Sequence, residues 1–490
     1  MTDRIKIAWL YLAAALFVAL NLYLVVQKDF YLAFSLPIVI GILMLYIFSL
    51  DKVILLISFL TPLSVNIEDM DVGLAISLPV EPMLAGVLVL FIAKFLYERN
   101  YDSKIALHPI ALVIYLMFGW MIITTFTSEI PLVSVKYIVS RLWFVVPSFF
   151  VAAMVFRRLN NLHWFIWLYT FSLIVIIFYT VINHASYGFS DDSAHWVMSP
   201  FYNDHTAYGA ALAIYLIFSV AYAFYPGIKP WQRTLVFIVI GLLTVGTILS
   251  LSRAAWISIA AALGVFIAVL LHIKFRWILA AFATILIVFF SFQHQIIDAL
   301  EKNKQDSSNN LAEHVRSITN ISSDASNLER INRWQAAIRM FNERPFFGWG
   351  PGTYQFVYAP FQRSKEKTII STNAGDGGNA HSEYIGPLSE MGVIGMLLVF
   401  LLVGTMIYTG LRTHKRARNK EARILSLAAT LALISYFVHG LLNNFLDTDK
   451  LSLPVWGSMA IIVVMDLYFA DLEVIHSQES DKILPKEKDR

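Results

Sequence analysis

The sequence predicts an all-α fold, a polytopic transmembrane helix bundle of about 12–14 spans with a large, partly helical loop outside the membrane. Composition is the first reason. Of the 490 residues, 58% are hydrophobic and only 14% are charged, whereas a soluble domain carries about 25% charged residues. The second reason is length, because apolar runs of about 17–25 residues, enough to cross a bilayer, recur between residues 8 and 470. The shortest runs, 51–65 and 141–156, leave the number of spans open.

The uneven distribution of Lys and Arg orients the bundle. With the N-terminus inside, about 22 of the 37 Lys and Arg residues lie in cytoplasmic segments and about 5 in short outer loops. The first run, 8–26, is too long for a signal peptide and is predicted to be a retained span. The predicted parts are an N-terminal bundle of about 11 spans at 1–292, an outer loop at 293–390, C-terminal spans at 391–470 and a cytoplasmic tail at 471–490.

Charge and cysteine content exclude several classes of function. The net charge is only +3, and no basic stripe interleaved with aromatic residues occurs, so nucleic acid is not an expected partner. The chain has no cysteine. Disulfides, thiolate catalysis and cysteine-ligated zinc are therefore excluded.

Two arginines are expected to lie on the outer side of the membrane, where the positive-inside rule predicts few Lys and Arg residues. Arg141 and Arg253 stand at the predicted outer ends of helices. Either side chain could simply extend to the interface, but charged residues at membrane depth commonly mark function. We therefore take both as candidate functional residues.

The outer loop contains an ordered part. Ser326 and Glu329 form a capping-box pattern that predicts the start of a helix. Its apolar residues recur at helical spacing from Ile331 to Phe341, and Pro345 should stop it. Such a helix would lie on the outer leaflet or cover the bundle.

Histidine is the side chain best suited to acid–base chemistry near neutral pH. The zinc-protease and serine-hydrolase patterns H-E-x-x-H and G-x-S-x-G are absent. Spacing alone does not choose among the histidines predicted to lie outside, which are His184, His195, His205, His294, His314, His381 and His439.

Four segments on the outer side carry distinctive residues. They are Ser252–Trp256, opening a helix; Arg330–Tyr354, with R-x-x-x-W followed by G-W-G-P-G; Ala380–Gly395, with A-H-S-E-Y and E-M-G-V-I-G; and Pro200–His205. Together they resemble the O-antigen ligase and O-antigen polymerase family of bacterial envelope membrane proteins. Ser382 stands where that family usually has asparagine.

The resemblance implies glycan transfer on the periplasmic face of the bacterial cytoplasmic membrane, with 293–390 as the periplasmic catalytic loop. The donor would be a glycan on undecaprenyl diphosphate. The acceptor would be a hydroxyl of lipid A–core for a ligase, which we favour, or of another lipid-linked glycan for a polymerase. No nucleotide, metal or other cofactor is implied, and the remaining partners would be membrane lipids.

The same resemblance assigns roles to residues. His381 would be the general base, and Arg253 and Arg330 would stabilise the diphosphate. Further substrate-binding residues would be Arg141, Arg333, Glu383, Tyr384, Asn203 and His205.

Two alternatives remain open. Asp69-Met70-Asp71 and Asp447-Thr448-Asp449 are D-x-D patterns that could hold Mg²⁺ or Mn²⁺, as in metal-dependent oligosaccharyltransferases. A transporter of lipid-linked sugars is the other alternative, although no internal repeat of the kind typical of transporters is evident.

Overall fold

A computed structural model of the protein describes residues 3–28, 36–69, 74–99, 101–273, 325–364 and 378–471. The chain forms two compact units, Met1–Leu56 and Ile57–Arg490. The α-helices, numbered along the described residues, are α1 Asp3–Lys28, α2 Leu36–Phe48, α3 Leu50–Leu60, α4 Val80–Glu98, α5 Ser103–Ala106, α6 Pro109–Phe126, α7 Pro131–Val145, α8 Ala152–Phe156, α9 Leu159–Ser186, α10 Asp191–Ala194, α11 His205–Ala223, α12 Pro230–Leu249, α13 Arg253–Leu270, α14 Ala325–Glu343, α15 Tyr354–Val357, α16 Ile385–Arg416, α17 Lys420–His439 and α18 Asp449–Val464.

The predicted all-α polytopic bundle is confirmed. Within the described residues, ten helices are long and apolar enough to cross a membrane. The run at 51–65 yields only the 11-residue helix α3. Another apolar run that the sequence predicts to be a span, residues 276–292, lies outside the described residues. The chain is a multi-pass membrane protein.

One span is longer than predicted, and this changes the position of the candidate residue Arg141 along its helix. The run expected at 141–156 is part of a continuous span, Pro131–Phe156, in which a π-helical stretch, Val146–Val151, includes Pro147. Proline lacks an amide hydrogen, so it interrupts regular helical bonding there. Arg141 therefore lies not at a helix end, as expected, but about 15 Å along the span from Pro131.

A short hairpin is the exception to the helical fold. Strands β1 (Val65–Asp69) and β2 (Leu74–Leu78) pair antiparallel, with Val65 opposite Leu78. Both strands contain the β-branched residues that favour a pleated surface. The sequence analysis did not predict this hairpin, because the two short strands lie between long apolar helices.

The helix predicted in the outer loop exists, but its buried face is not the bulky one. Helix α14 ends before Pro345, as expected, and Ser326 is already helical rather than the residue that precedes the helix. The side that packs inward carries Ala336, Ala337 and Met340. Ile338, from the predicted apolar stripe, is 38% exposed. Small residues allow close approach to the bundle on this side, whereas Ile331, Trp334 and Phe341 of the bulky stripe are only partly buried.

Helices α11, α13 and α17 pack together and bring separate sequence segments to one end of the bundle. A side chain at Gly209 of α11 would come within 2.7 Å of Ser252, just before α13. Ser435 of α17 donates a hydrogen bond of 3.0 Å to Ser258 of α13. Small residues at such crossings let helix backbones approach closely.

Candidate active site

His381 lies in the loop between α14 and α16, in an unusual backbone conformation. Its φ is 47°, in the left-handed region that non-glycine residues seldom adopt. The side chain of Asn379 stabilises this turn by accepting a hydrogen bond from the His381 amide at 3.1 Å. Strained residues persist where the surroundings enforce them, often at functional sites.

Burial and the charges around His381 keep its imidazole neutral. Burial, followed by the nearby guanidinium groups of Arg333 and Arg330, lowers its pKa to about 3. The carboxylates of Asp204 and Glu329 oppose this shift. The residue is nevertheless only partly buried. A neutral imidazole can accept a proton, which is the requirement for a general base.

Arg330 extends from α14 to the loop between α17 and α18, which we call the 440–448 loop. Its Nε donates to the Leu442 carbonyl at 3.1 Å, and one Nη is 3.5 Å from the Asn443 side-chain oxygen. The same Asn443 oxygen is 3.5 Å from the hydroxyl of Thr206. The guanidinium is therefore oriented by a loop more than 100 residues away in sequence.

Arg333, one turn further along α14, is held more rigidly. It forms a salt bridge of 2.8 Å with Glu329 and donates to the Asn379 carbonyl at 3.0 Å. Any side chain at Gly378 would meet the Arg333 guanidinium at 2.1 Å. The glycine therefore allows the loop that carries His381 to close over Arg333.

Glu383 is buried, and its carboxylate organises the 440–448 loop. One oxygen accepts hydrogen bonds from Tyr436 Oη at 2.6 Å, Phe445 N at 2.8 Å and Leu446 N at 3.0 Å. Its own amide donates to the Gly440 carbonyl at 2.8 Å. Both ends of the loop are thus attached to the residue two positions after His381.

Arg141 reaches the same loop from within the membrane span. It donates to the Leu446 carbonyl and, at 2.7 Å, to Tyr137 Oη. Arg141 and Glu383 line a small cavity of about 40 Å³ whose walls are otherwise mainly apolar. Arg141 therefore supports the 440–448 loop from one side, while Arg330 contacts it from the other.

Arg253 is the first residue of α13, at the same end of the bundle. Ser252 caps this helix by accepting from the Ala255 amide at 3.4 Å. Trp256 donates to the Thr247 carbonyl of α12 at 3.2 Å. These two bonds fix the turn that presents Arg253, next to the partial positive charge of a helix N-terminus.

A family model described as O-antigen ligase matches residues 237–400. This segment of the chain resembles an O-antigen ligase domain. The match confirms the resemblance seen in the sequence and supports a function of the O-antigen ligase or polymerase type in general. The matched range includes Arg253, Arg330, His381 and Glu383 but ends before the 440–448 loop.

A protein of Haemophilus influenzae, described as uncharacterized, is 22% identical over 138 residues. The alignment covers 28% of this chain and 33% of that protein. The chain therefore spans about a third of the length of this relative.

The remaining candidate residues lie outside the contacts around His381 described so far. Tyr384 is buried, donates to the Phe437 carbonyl at 3.0 Å and stacks on Phe400, so it packs α16 against α17. His205 begins α11, and its Nδ1 is 3.0 Å from His195 Nδ1. Asn203 is exposed in the preceding turn.

The D-x-D pattern at 447–449 does not present two carboxylates to one space. Asp447 is exposed, whereas Asp449 is fully buried and accepts a hydrogen bond from Ser64. In the other pattern, Met70 and Asp71 lie outside the described residues. Across the described ranges, no group of three His, Asp or Glu side chains could hold a metal ion.

The sequence analysis did not predict that the 440–448 loop would contact the candidate site residues. It carries no charged residue before Asp447. Asn443 also lies 3.5 Å from His439, which is buried in the last turn of α17. The only sequence signal was a histidine followed by two asparagines, and that pattern has no specific chemical meaning.

Proposed function

We propose that the protein is an O-antigen ligase that transfers a glycan from undecaprenyl diphosphate to a hydroxyl of lipid A–core, on the periplasmic face of the bacterial inner membrane. Both termini would lie in the cytoplasm. The observation that carries the proposal is a neutral His381 beside the guanidinium groups of Arg330 and Arg333. A base next to fixed positive charge suits a reaction that takes a proton from one partner and leaves negative charge on the other.

The reaction would proceed in one displacement. His381 accepts the proton of the acceptor hydroxyl while that oxygen forms a bond to the anomeric carbon of the donor glycan. The bond between this carbon and the diphosphate oxygen breaks, and undecaprenyl diphosphate leaves with the electron pair. Arg330 and Arg253 would bind the diphosphate, because planar guanidinium groups match its oxygen geometry. Diphosphate is a good leaving group and needs no general acid.

A polymerase of the same family would use the same donor chemistry with a lipid-linked glycan as acceptor. The lipopolysaccharide of a deletion strain distinguishes the two. Loss of every long-chain band, with accumulation of lipid-linked glycan, identifies a ligase. Survival of a band with a single repeat identifies a polymerase.

The pH dependence of transfer should reflect the low pKa of His381. Since that pKa is about 3 in the free protein, kcat/KM should not fall between pH 7 and about pH 5 through protonation of the base. Binding of the diphosphate anion offsets the guanidinium charges and raises the pKa of His381. The acid limb of kcat should therefore lie at higher pH than that of kcat/KM. A kcat/KM profile that titrates near the ordinary histidine value of about 6.5 would contradict this, provided the protein remains folded.

Transfer should continue in excess EDTA. We expect arginines rather than a metal cation to neutralise the diphosphate, so chelation should leave the rate of the purified protein unchanged. Inactivation by EDTA, with recovery on adding Mn²⁺, would instead favour a metal-dependent oligosaccharyltransferase and direct attention to Asp69 and Asp71.

Glu383 is proposed to act by position rather than by contact with substrate. Glu383→Gln removes the charge that three donors share, and each hydrogen bond to a charged group contributes about 1.5–3 kcal/mol. The 440–448 loop should loosen and release Arg330. We expect KM for the donor to rise about tenfold, the effect of roughly 1.4 kcal/mol, with the pH profile of kcat unchanged. Kinetics over a range of pH values measure both quantities.

The matched control for Glu383→Gln is Glu343→Gln, at the exposed end of α14. It should leave KM unchanged. If Glu383→Gln instead shifts the acid limb of kcat while KM stays constant, Glu383 takes part in proton transfer and the positioning role is wrong.

A further inference from the structure

A cavity of about 360 Å³ opens at the end of the bundle away from His381. It lies between the start of α6, the second half of α16 and a π-helical turn, Met465–Phe469, that follows α18. Arg412, in its lining, follows the kink of α16 at Gly392 by 20 residues, or about 30 Å of helix. Its size is within the range of about 300–1,000 Å³ found for ligand pockets. The proposed glycan transfer makes no use of it.

One wall of this cavity is an apolar stripe on α16. Phe400, Gly404, Tyr408 and Arg412 recur every four residues, so they lie one above another on the same helix face. Phe400 is 48% and Tyr408 is 68% exposed. A side chain added at Gly404 would meet nothing within 4 Å. The stripe is therefore an open groove, with aromatic side chains on either side of a glycine gap and an arginine at its end.

The polar end of the groove can bind an anion. Within the described residues, no carboxylate forms a salt bridge with Arg412, whereas Asp466 is already paired with Arg416 at 3.0 Å and accepts from Thr413 at 2.6 Å. The one carboxylate in the lining is thus largely neutralised.

His108 supplies a second donor to this end of the groove. The ring is buried, and its Nδ1 accepts a hydrogen bond from the Ile110 amide at 3.2 Å. In the neutral ring the proton must then be on Nε2. This buried Nε2 faces the Asp466 carboxylate at 3.6 Å and makes no shorter hydrogen bond. A ligand oxygen atom at about 3 Å would be a better acceptor for it than that carboxylate.

We propose that this groove binds an anionic phospholipid, with an acyl chain along the Phe400–Tyr408 stripe and the phosphate at Arg412 and His108. The combination of an open apolar wall and a cationic end fits an amphiphile better than a free phosphate or a nucleotide, which cannot use the apolar wall. Basic residues are also dense where α16 ends and α17 begins, and such clusters favour anionic headgroups. They are Arg412, Lys415, Arg416, Arg418, Lys420 and Arg423.

Native mass spectrometry of the detergent-purified full chain, titrated with phosphatidylglycerol or phosphatidylethanolamine, tests the proposal. The wild-type protein should retain phosphatidylglycerol preferentially. Arg412→Ala should weaken that binding about fivefold, the effect of one basic residue near an anionic headgroup. Gly404→Leu should weaken both lipids, because leucine fills the gap in the groove.

Two matched variants control for general effects. Arg233→Ala removes an exposed arginine from α12, and Gly241→Leu fills an equally open position on the same helix. Both should bind phosphatidylglycerol as the wild-type protein does. Equal retention of the two lipids, or wild-type binding by both Arg412→Ala and Gly404→Leu, would overturn the proposal. Glycan transfer by these variants is a separate measurement, so failure here leaves the proposed function untouched.

Discussion

Replacing His381 with alanine should lower the rate of glycan transfer by about 10²–10⁴-fold, the usual cost of removing a general base. The physical reason is that the acceptor hydroxyl is weakly acidic and must lose its proton as it attacks. Affinity for the undecaprenyl-diphosphate donor should be retained, because the guanidinium groups remain in place. Transfer and donor binding should be measured on the same preparation of purified protein.

His414→Ala is the control for His381→Ala. His414 lies at the other end of α16, and its Nδ1 is 2.9 Å from the Arg423 carbonyl. It should keep the wild-type rate. If His381→Ala is well expressed and transfers glycan at nearly the wild-type rate, His381 is not the base. His205 and Glu383 would then be tested next.

Hydropathy was sufficient to predict the fold because a bilayer imposes a local rule. Each span must satisfy its own backbone hydrogen bonds, so it must be a helix of a certain length, and that length is visible in a short window of sequence. The rule fails where a helix continues past a polar residue. Arg141 interrupts the apolar run, and for that reason the span from Pro131 was expected to start ten residues too late.

The candidate site was only partly predictable, because its supporting contacts are not local. His381, Arg330 and Arg253 belong to segments that can be read directly from the sequence. The 440–448 loop that orients Arg330 is attached through Glu383, whose partners Phe445 and Leu446 are more than 60 residues away. Backbone amides and carbonyls make these contacts, so residue types alone give no sign of them.

The burial of α14 shows the same limitation on a smaller scale. Periodicity correctly indicated a helix, and bulky apolar residues suggested its inner face. The inner face instead carries Ala336 and Ala337, because Tyr354 and Tyr358 occupy the space on that side. Complementarity of volume between distant segments decides such packing.

Replacing Arg330 or Arg253 should also greatly reduce glycan transfer. Arg330→Ala and Arg253→Ala should each reduce transfer by about 10²–10³-fold, the cost of removing one well-placed charge donor. Both should also weaken donor binding, unlike His381→Ala. Neither change removes apolar surface from a span, so insertion into the membrane should be normal. Purified variants would be compared for donor affinity and rate.

Lysine replacements separate charge from geometry at these two positions. Lysine keeps the positive charge but cannot reproduce the planar fork of a guanidinium. At Arg330, lysine should also lose the bond that Nε now makes to Leu442, because it has no equivalent donor at that position. We therefore expect Arg330→Lys and Arg253→Lys to be nearly as impaired as the alanine variants. Arg233→Lys is the matched control, because Arg233 is exposed on α12 and should tolerate the change. If Arg330→Lys and Arg253→Lys both transfer glycan at the wild-type rate, simple charge is sufficient and bidentate recognition of the diphosphate is wrong.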